Sequence, residues 1–85
     1  MPALTDMRNI GGEMERKLIS IGIRTPEELR RTGAEQAYLR LKIAFPKVCT
    51  VHLYALEGAI LGLPYNRLPQ ERTRELKAFG TSLKG

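Results

Sequence analysis

The segment CTVHLYALEGAILGL, residues 49–63, constrains the fold more than any other part of this 85-residue chain. Apolar side chains fall on nearly every side of it, so as a helix it has no face for water to cover. It is too short to cross a bilayer, which takes about 20 apolar residues. It must therefore lie in the middle of the fold, with other helices packed around it. Thr50 is placed to cap its start and Gly62 to stop it. Gly58, inside it, costs about 1 kcal/mol against Ala, which predicts a close approach by a neighbouring helix. A chain of this length buries only about 60–65% of its unfolded surface, enough for one small core and little scaffold for a deep cleft.

No alternating run of β-branched residues predicts a strand, and Gly and Pro punctuate the rest of the chain into short helices. Residues 4–8 form a turn or a short first helix, capped by Thr5 or Asp6. The turn Asn9-Ile10-Gly11-Gly12 follows, and its residue types predict left-handed backbone at both ends. The next helix runs from about Gly12 to Ile21, with Met14, Leu18 and Ile21 on one stripe, Ile10 stapling its entry and Gly22 stopping it. Thr25-Pro26-Glu27-Glu28 is the clearest local signal: Thr at N-cap, Pro at N1, Glu at N3, with Ile23 and Leu29 as the hydrophobic staple. Gly33 ends that helix. A further helix over residues 34–44 buries Ala34, Ala37, Tyr38 and Leu41, with Phe45 continuing that face and Pro46 following. A last helix, about Pro69 to Phe79, packs through Leu68, Leu76, Phe79 and Leu83. The expected class is all-α: one compact five- or six-helix domain over residues 1–85.

Several chemistries are excluded. One cysteine and one histidine make neither an internal disulfide nor a structural zinc site. No Walker loop, dinucleotide fingerprint or calcium loop occurs, so no cofactor, metal or small-molecule substrate is expected. Cys49 and His52 share a helix face, which as a catalytic dyad would need a cleft, an orienting group and oxyanion donors. None is visible, and the pair reads as a core thiol beside an edge histidine. Glu57, the one acid in the apolar helix, reads as a carboxylate paired with a nearby arginine. The chain reads as non-enzymatic and, with no signal core or membrane span, as cytoplasmic.

The net charge of +5 favours a polyanionic partner. The candidate site is the turn at the start of the second segment. N–H groups of Ile10, Gly11 and Gly12 would point outward at a helix N-terminus, with Arg8, Arg16 and Lys17 flanking a phosphate. Such contacts hold a nucleic-acid backbone without reading its sequence. Glu13 and Glu15 oppose this, since their charges repel phosphate at the same spot. Arg24, Arg30, Arg31, Arg40 and Lys42 are a second group of cations, which the sequence alone cannot place on one face. Two partner classes stay open: DNA, bound weakly through its backbone, or a protein, including a second copy of the chain as a homodimer.

The motifs Asn9-Ile10-Gly11, Gly22-Ile23-x-Thr25, Glu28-Leu29, Gly33-Ala34, Ala37-Tyr38, Leu53-Tyr54-Ala55-Leu56-Glu57-Gly58-Ala59 and Leu68-Pro69 resemble the C-terminal domain of the TfoX/Sxy competence regulators. The resemblance runs from about residue 4 to residue 79. It implies a SAM-like, helix-hairpin-helix-like fold in a bacterial, cytoplasmic setting linked to gene regulation. It also implies a stand-alone module without the family's usual N-terminal domain. The first segment is similar to the wider helix-hairpin-helix motif, in which a Gly-hydrophobic-Gly turn binds DNA backbone. Asn9 stands here at the first Gly, and Glu13 where a basic residue is common.

Overall fold

The structure, a computed structural model, describes residues 3–82. A 3-10 turn, Leu4–Asp6, precedes five helices: α1 Gly12–Ser20, α2 Pro26–Thr32, α3 Ala34–Ala44, α4 Thr50–Leu61 and α5 Gln70–Ser82. No strand occurs among the described residues, and the fold is all-α as the punctuation of the sequence implied.

The local signals explain most helix ends. Thr25 Oγ1 accepts the N–H of Glu28 at 3.1 Å. The Glu28 carboxylate reaches back to the Arg24 N–H and the Thr25 hydroxyl, each at 3.3 Å. It thus meets the residue before the cap instead of the cap's own N–H. Thr25→Ala should lower stability by about 1 kcal/mol. A thermal melt should show this as a fall of about 4–8 °C in Tm. Gly33, at φ +87°, serves two helices at once. Its N–H donates to Leu29 O at 2.9 Å, and its carbonyl accepts from Ala37 N–H at 3.0 Å. A single residue so joins α2 to α3, at a positive φ that side-chain-bearing residues rarely adopt.

α4 sits in the middle, packed against α2, α3 and α5, while α1 packs on α3 and on the 3-10 turn. Leu53 and Leu56 of α4 are fully buried with Leu4, Leu18, Leu29, Leu41 and Leu76, and Ile23 and Val48 are nearly so. Between α3 and α4 the chain turns sharply, held by Lys42, whose Nζ donates to Pro46 O (3.1 Å) and Val48 O (2.7 Å).

Four expectations are corrected. Cys49, not Thr50, is the N-cap of α4, and its thiol is exposed instead of lying in the core. In the turn before α1 only Asn9 is left-handed, at φ 69°, while Gly11 is extended at φ −94° and Gly12 is already helical. α5 runs past Phe79 to Ser82 and buries Gly80, where an added Cβ would come within 2.7 Å of Thr50 Cγ2. What presses on Gly58 is not a helix but the Asn9 side chain and the Leu63 carbonyl. Leu83, assigned to the apolar edge of the last helix, lies outside the described residues.

Candidate nucleic-acid interface

The turn at residues 7–11 crosses α4, and Asn9 fastens it there. Asn9 Nδ2 donates to Leu63 O at 2.9 Å and to Ala55 O at 3.4 Å, and its Oδ1 accepts from Tyr65 N–H at 3.3 Å. A short amide side chain on a left-handed residue can do this, and a glycine cannot. Asn9 is therefore a structural clasp between the start of the chain and the loop after α4. The Ile10 side chain is buried and its N–H donates to Met7 O at 3.3 Å, so that N–H does not face outward as expected. Gly11 and Gly12 are exposed, and α1 begins without a side-chain cap. Nothing lies within 4 Å of where their Cβ atoms would be, so this edge of the turn is open.

The cations named for this site fall on two sides of the turn. Arg16 and Lys17 line a shallow groove of about 230 Å³ with Glu13, Ser20 and Phe45. Lys17 Nζ stands 5.6 Å from the Phe45 ring centroid and 4.0 Å from Glu13 Oε1. Lys17 and Glu13 also line an adjoining groove of about 400 Å³, together with Gly11, Met14, Val51 and His52. The two grooves share Glu13 and Lys17 and together make a trough along α1, with Gly11 in the second groove and Arg16, Ser20 and Phe45 in the first. Arg8 lies apart from it, in a groove with Arg30. Of the second group of cations, Lys42 is tied to the α3–α4 turn.

Cys49 and His52 form a helix cap. The Cys49 N–H donates to His52 Nδ1 at 3.2 Å, and the thiol lies 3.5 Å from the same nitrogen. This is one half of a capping box, with an imidazole in the place of Glu, while the His52 N–H donates to the Cys49 carbonyl at 2.9 Å. Nδ1 is the acceptor, which puts the ring proton of a neutral imidazole on Nε2. Tyr38 is buried, and that burial, with a smaller contribution from Cys49, raises its phenol pKa above the ordinary value. No group of three or more His, Cys, Asp or Glu among the described residues is arranged to hold a metal.

Glu57 has the arginine partner that its position demanded. Arg72 Nε and Nη2 grip its two oxygens at 2.9 and 3.0 Å, a bidentate pair joining α4 to α5. Arg72 also reaches Glu35 and Glu75, each at 3.5 Å. The Glu57 hydrogen bond first, and then the charges of all three carboxylates, hold the guanidinium pKa above its ordinary value. Sequence reasoning missed Arg72 as this hub. A lone acid in an apolar helix says that a cation must come, but not which of 14. The consequence for the surface is electrostatic. Arg72 and its three carboxylates net −2, so the other residues carry +7 of formal charge against +5 for the whole chain. Among the described residues, Arg8, Arg16, Arg24, Arg30, Arg31 and Arg40 form no ion pair with a carboxylate.

A model of the TfoX C-terminal domain matches residues 1–79. The chain belongs to this family. Protein Sxy of Escherichia coli (strain K12) is 36% identical over 80 residues, covering 94% of this chain and 38% of that protein. The chain thus spans well under half the length of this relative. The fold is shared with two crystal structures from Listeria monocytogenes. One, of an uncharacterized protein in a triclinic form, is 42% identical with a TM-score of 0.95, covering 98% of this chain and 94% of that one. The other, of a protein of unknown function in a tetragonal form, is 42% identical with a TM-score of 0.91, covering 94% and 98% respectively. No helix among the described residues is long and apolar enough to cross a membrane.

Proposed function

We propose that this TfoX C-terminal domain is a non-catalytic module that binds a nucleic-acid backbone, independently of sequence, through the trough along α1. The observation that carries the reading is the segregation of charge. Three carboxylates gather on Arg72, one of them buried, while among the described residues Arg16 forms no ion pair in the groove that it lines with Glu13, Lys17 and Phe45. A phosphate at the Gly11 end would meet Lys17 and the N–H groups at Gly11 and Gly12, at the positive end of the α1 dipole, and Arg16 would take a second phosphate in the adjoining groove. Lys17 can turn from Glu13 to phosphate while its stem stays on Phe45. These contacts carry no base code, which suits a general DNA-binding role in the regulatory setting that the family resemblance implies.

Arg16→Ala with Lys17→Met tests the reading, because methionine keeps the packing on Phe45 and removes the charge. Fluorescence anisotropy with unrelated duplexes should show weaker binding to all of them alike. For every phosphate no longer neutralised, the slope of log K against log salt should flatten by about 0.9. A wild-type titration that stays flat at low salt overturns the proposal and leaves a protein, or a second copy of the chain, as the partner class. Analytical ultracentrifugation then separates those two.

A further inference from the structure

Arg8 belongs to a second basic site. It lines a groove of about 260 Å³ with Arg30, from α2, and with Asp6, Met7, Pro26, Ala59 and Gly62. The two arginines come from segments far apart in sequence and meet over the C-terminal end of α4. That end carries the negative pole of the helix dipole, which holds the two guanidinium groups there and opposes an anion, so a phosphate must be gripped by the arginines themselves. Neither guanidinium makes a hydrogen bond or an ion pair among the described residues. Met7, Pro26 and Ala59 are buried walls that offer it no acceptor. The one carboxylate in the groove, Asp6, accepts the Ala3 N–H through Oδ2 at 2.9 Å and forms no ion pair with either arginine. The guanidinium donors of Arg8 and Arg30 are thus free for a ligand from solution, and planar forks of this kind match phosphate oxygens bidentately.

This groove and the trough beside α1 lie along one stripe of α4. Val51 and Ala55 line the trough, and Ala59 and Gly62 line the Arg8–Arg30 groove. The positions step by four, four and three residues, which keeps them on one helix face. Asn9 carries the turn across the stripe between the two.

We infer that Arg8 and Arg30 form a second phosphate-contact site for nucleic acid, separated from Arg16 and Lys17 by the Asn9 turn. This inference rests on the nucleic-acid reading above. The test is fluorescence anisotropy with a labelled duplex of about 20 base pairs across a salt series. It uses the full chain, an Arg8→Ala/Arg30→Ala variant, an Arg8→Lys/Arg30→Lys variant, and the Arg16→Ala/Lys17→Met variant. Both arginines are exposed, and circular dichroism should show unchanged helix in all four proteins. Removing both guanidinium groups should lower the salt slope by about 2. Going from about 200 to about 50 mM salt, the wild type should then gain about twelve-fold more affinity than the double-alanine variant. The double-lysine variant keeps the charge and should keep most of the slope. If double alanine leaves slope and affinity at wild-type values while Arg16→Ala/Lys17→Met lowers both, the second site is overturned and the first stands. If only the Arg8 and Arg30 changes act, the second site stands and the α1 trough falls. Absence of wild-type binding at low salt overturns both.

Discussion

Replacing Gly58 with Ala should destabilise the protein by about 2–3 kcal/mol, although it places a better helix former in the middle of α4. On propensity alone the change would stabilise by about 1 kcal/mol. The tertiary setting reverses the sign. An ideal Cβ at residue 58 would stand 2.5 Å from Asn9 Nδ2 and 2.5 Å from Leu63 O. The first atom ends a side chain and can move, but only by giving up its hydrogen bonds to Leu63 O and Ala55 O. The second is backbone, held in place by the Leu63 N–H bond to Gly58 O at 2.8 Å. Urea denaturation should therefore show a lower midpoint with an unchanged m value. Asn9→Ala should itself destabilise, since it removes three hydrogen bonds and puts a Cβ-bearing residue without a polar side chain at φ 69°. The two changes should be less than additive in combination, because Asn9→Ala clears one of the two clashes. A Gly58→Ala protein as stable as wild type would rule out this packing of the turn on α4.

Arg72→Met should be the other large effect, a loss of about 2–4 kcal/mol, because it leaves the Glu57 carboxylate buried without a partner. Glu57 is 7% exposed, whereas the Arg72 side chain is 30% exposed. The cost is therefore expected toward the lower end of that range, as water can reach part of the vacated site. The buried charge, rather than the missing packing of Arg72, should carry most of the cost. Adding Glu57→Gln to Arg72→Met should then recover much of the stability, even though a second side chain has been changed. Glu35→Gln and Glu75→Gln remove the exposed partners of the same guanidinium, and each should stay within about 0.5 kcal/mol of wild type. Thermal or urea unfolding of the five proteins separates these cases. No recovery in the double variant would mean that Arg72 acts through packing and not through charge.

Much of the architecture was legible because its signals are local. The Thr25 cap and Glu28 are three residues apart, and the structure keeps them in contact. The bounds of α3 follow directly from Gly33 before it and Pro46 after it. The central place of α4 follows from its lack of a polar face, and its partners α2, α3 and α5 bear this out. Local reasoning erred where two residues compete for one role. Thr50 has the better hydroxyl for a cap, yet Cys49 takes that place because His52, at the third helical position, is there to accept its N–H. Gly80 went unread because a glycine near the end of a helix looks like a stop until a neighbour is known to press on it.

The candidate site was less legible than the fold. Residue type alone placed Arg8, Ile10, Gly11, Gly12, Arg16 and Lys17 in one phosphate cradle. The structure buries the Ile10 side chain, turns Arg8 toward Arg30, and sets Lys17 over Phe45. Long charged side chains a few residues apart in a turn can point to opposite sides of the neighbouring helix, and the sequence does not say which helix that is.

The sequence by itself determined the helices, the Thr25 cap of α2, the burial of α4 and the family, because each depends on spacings of a few residues or on the overall pattern of apolar positions. Only the tertiary structure decided what Asn9 and Arg72 do. Asn9 acts on Ala55 and Tyr65, 46 and 56 residues away, and Arg72 acts on Glu57, 15 residues away on another helix. Those partners are chosen by which surfaces the core brings together, and the choice fixes both the clasp over α4 and the three carboxylates gathered on Arg72.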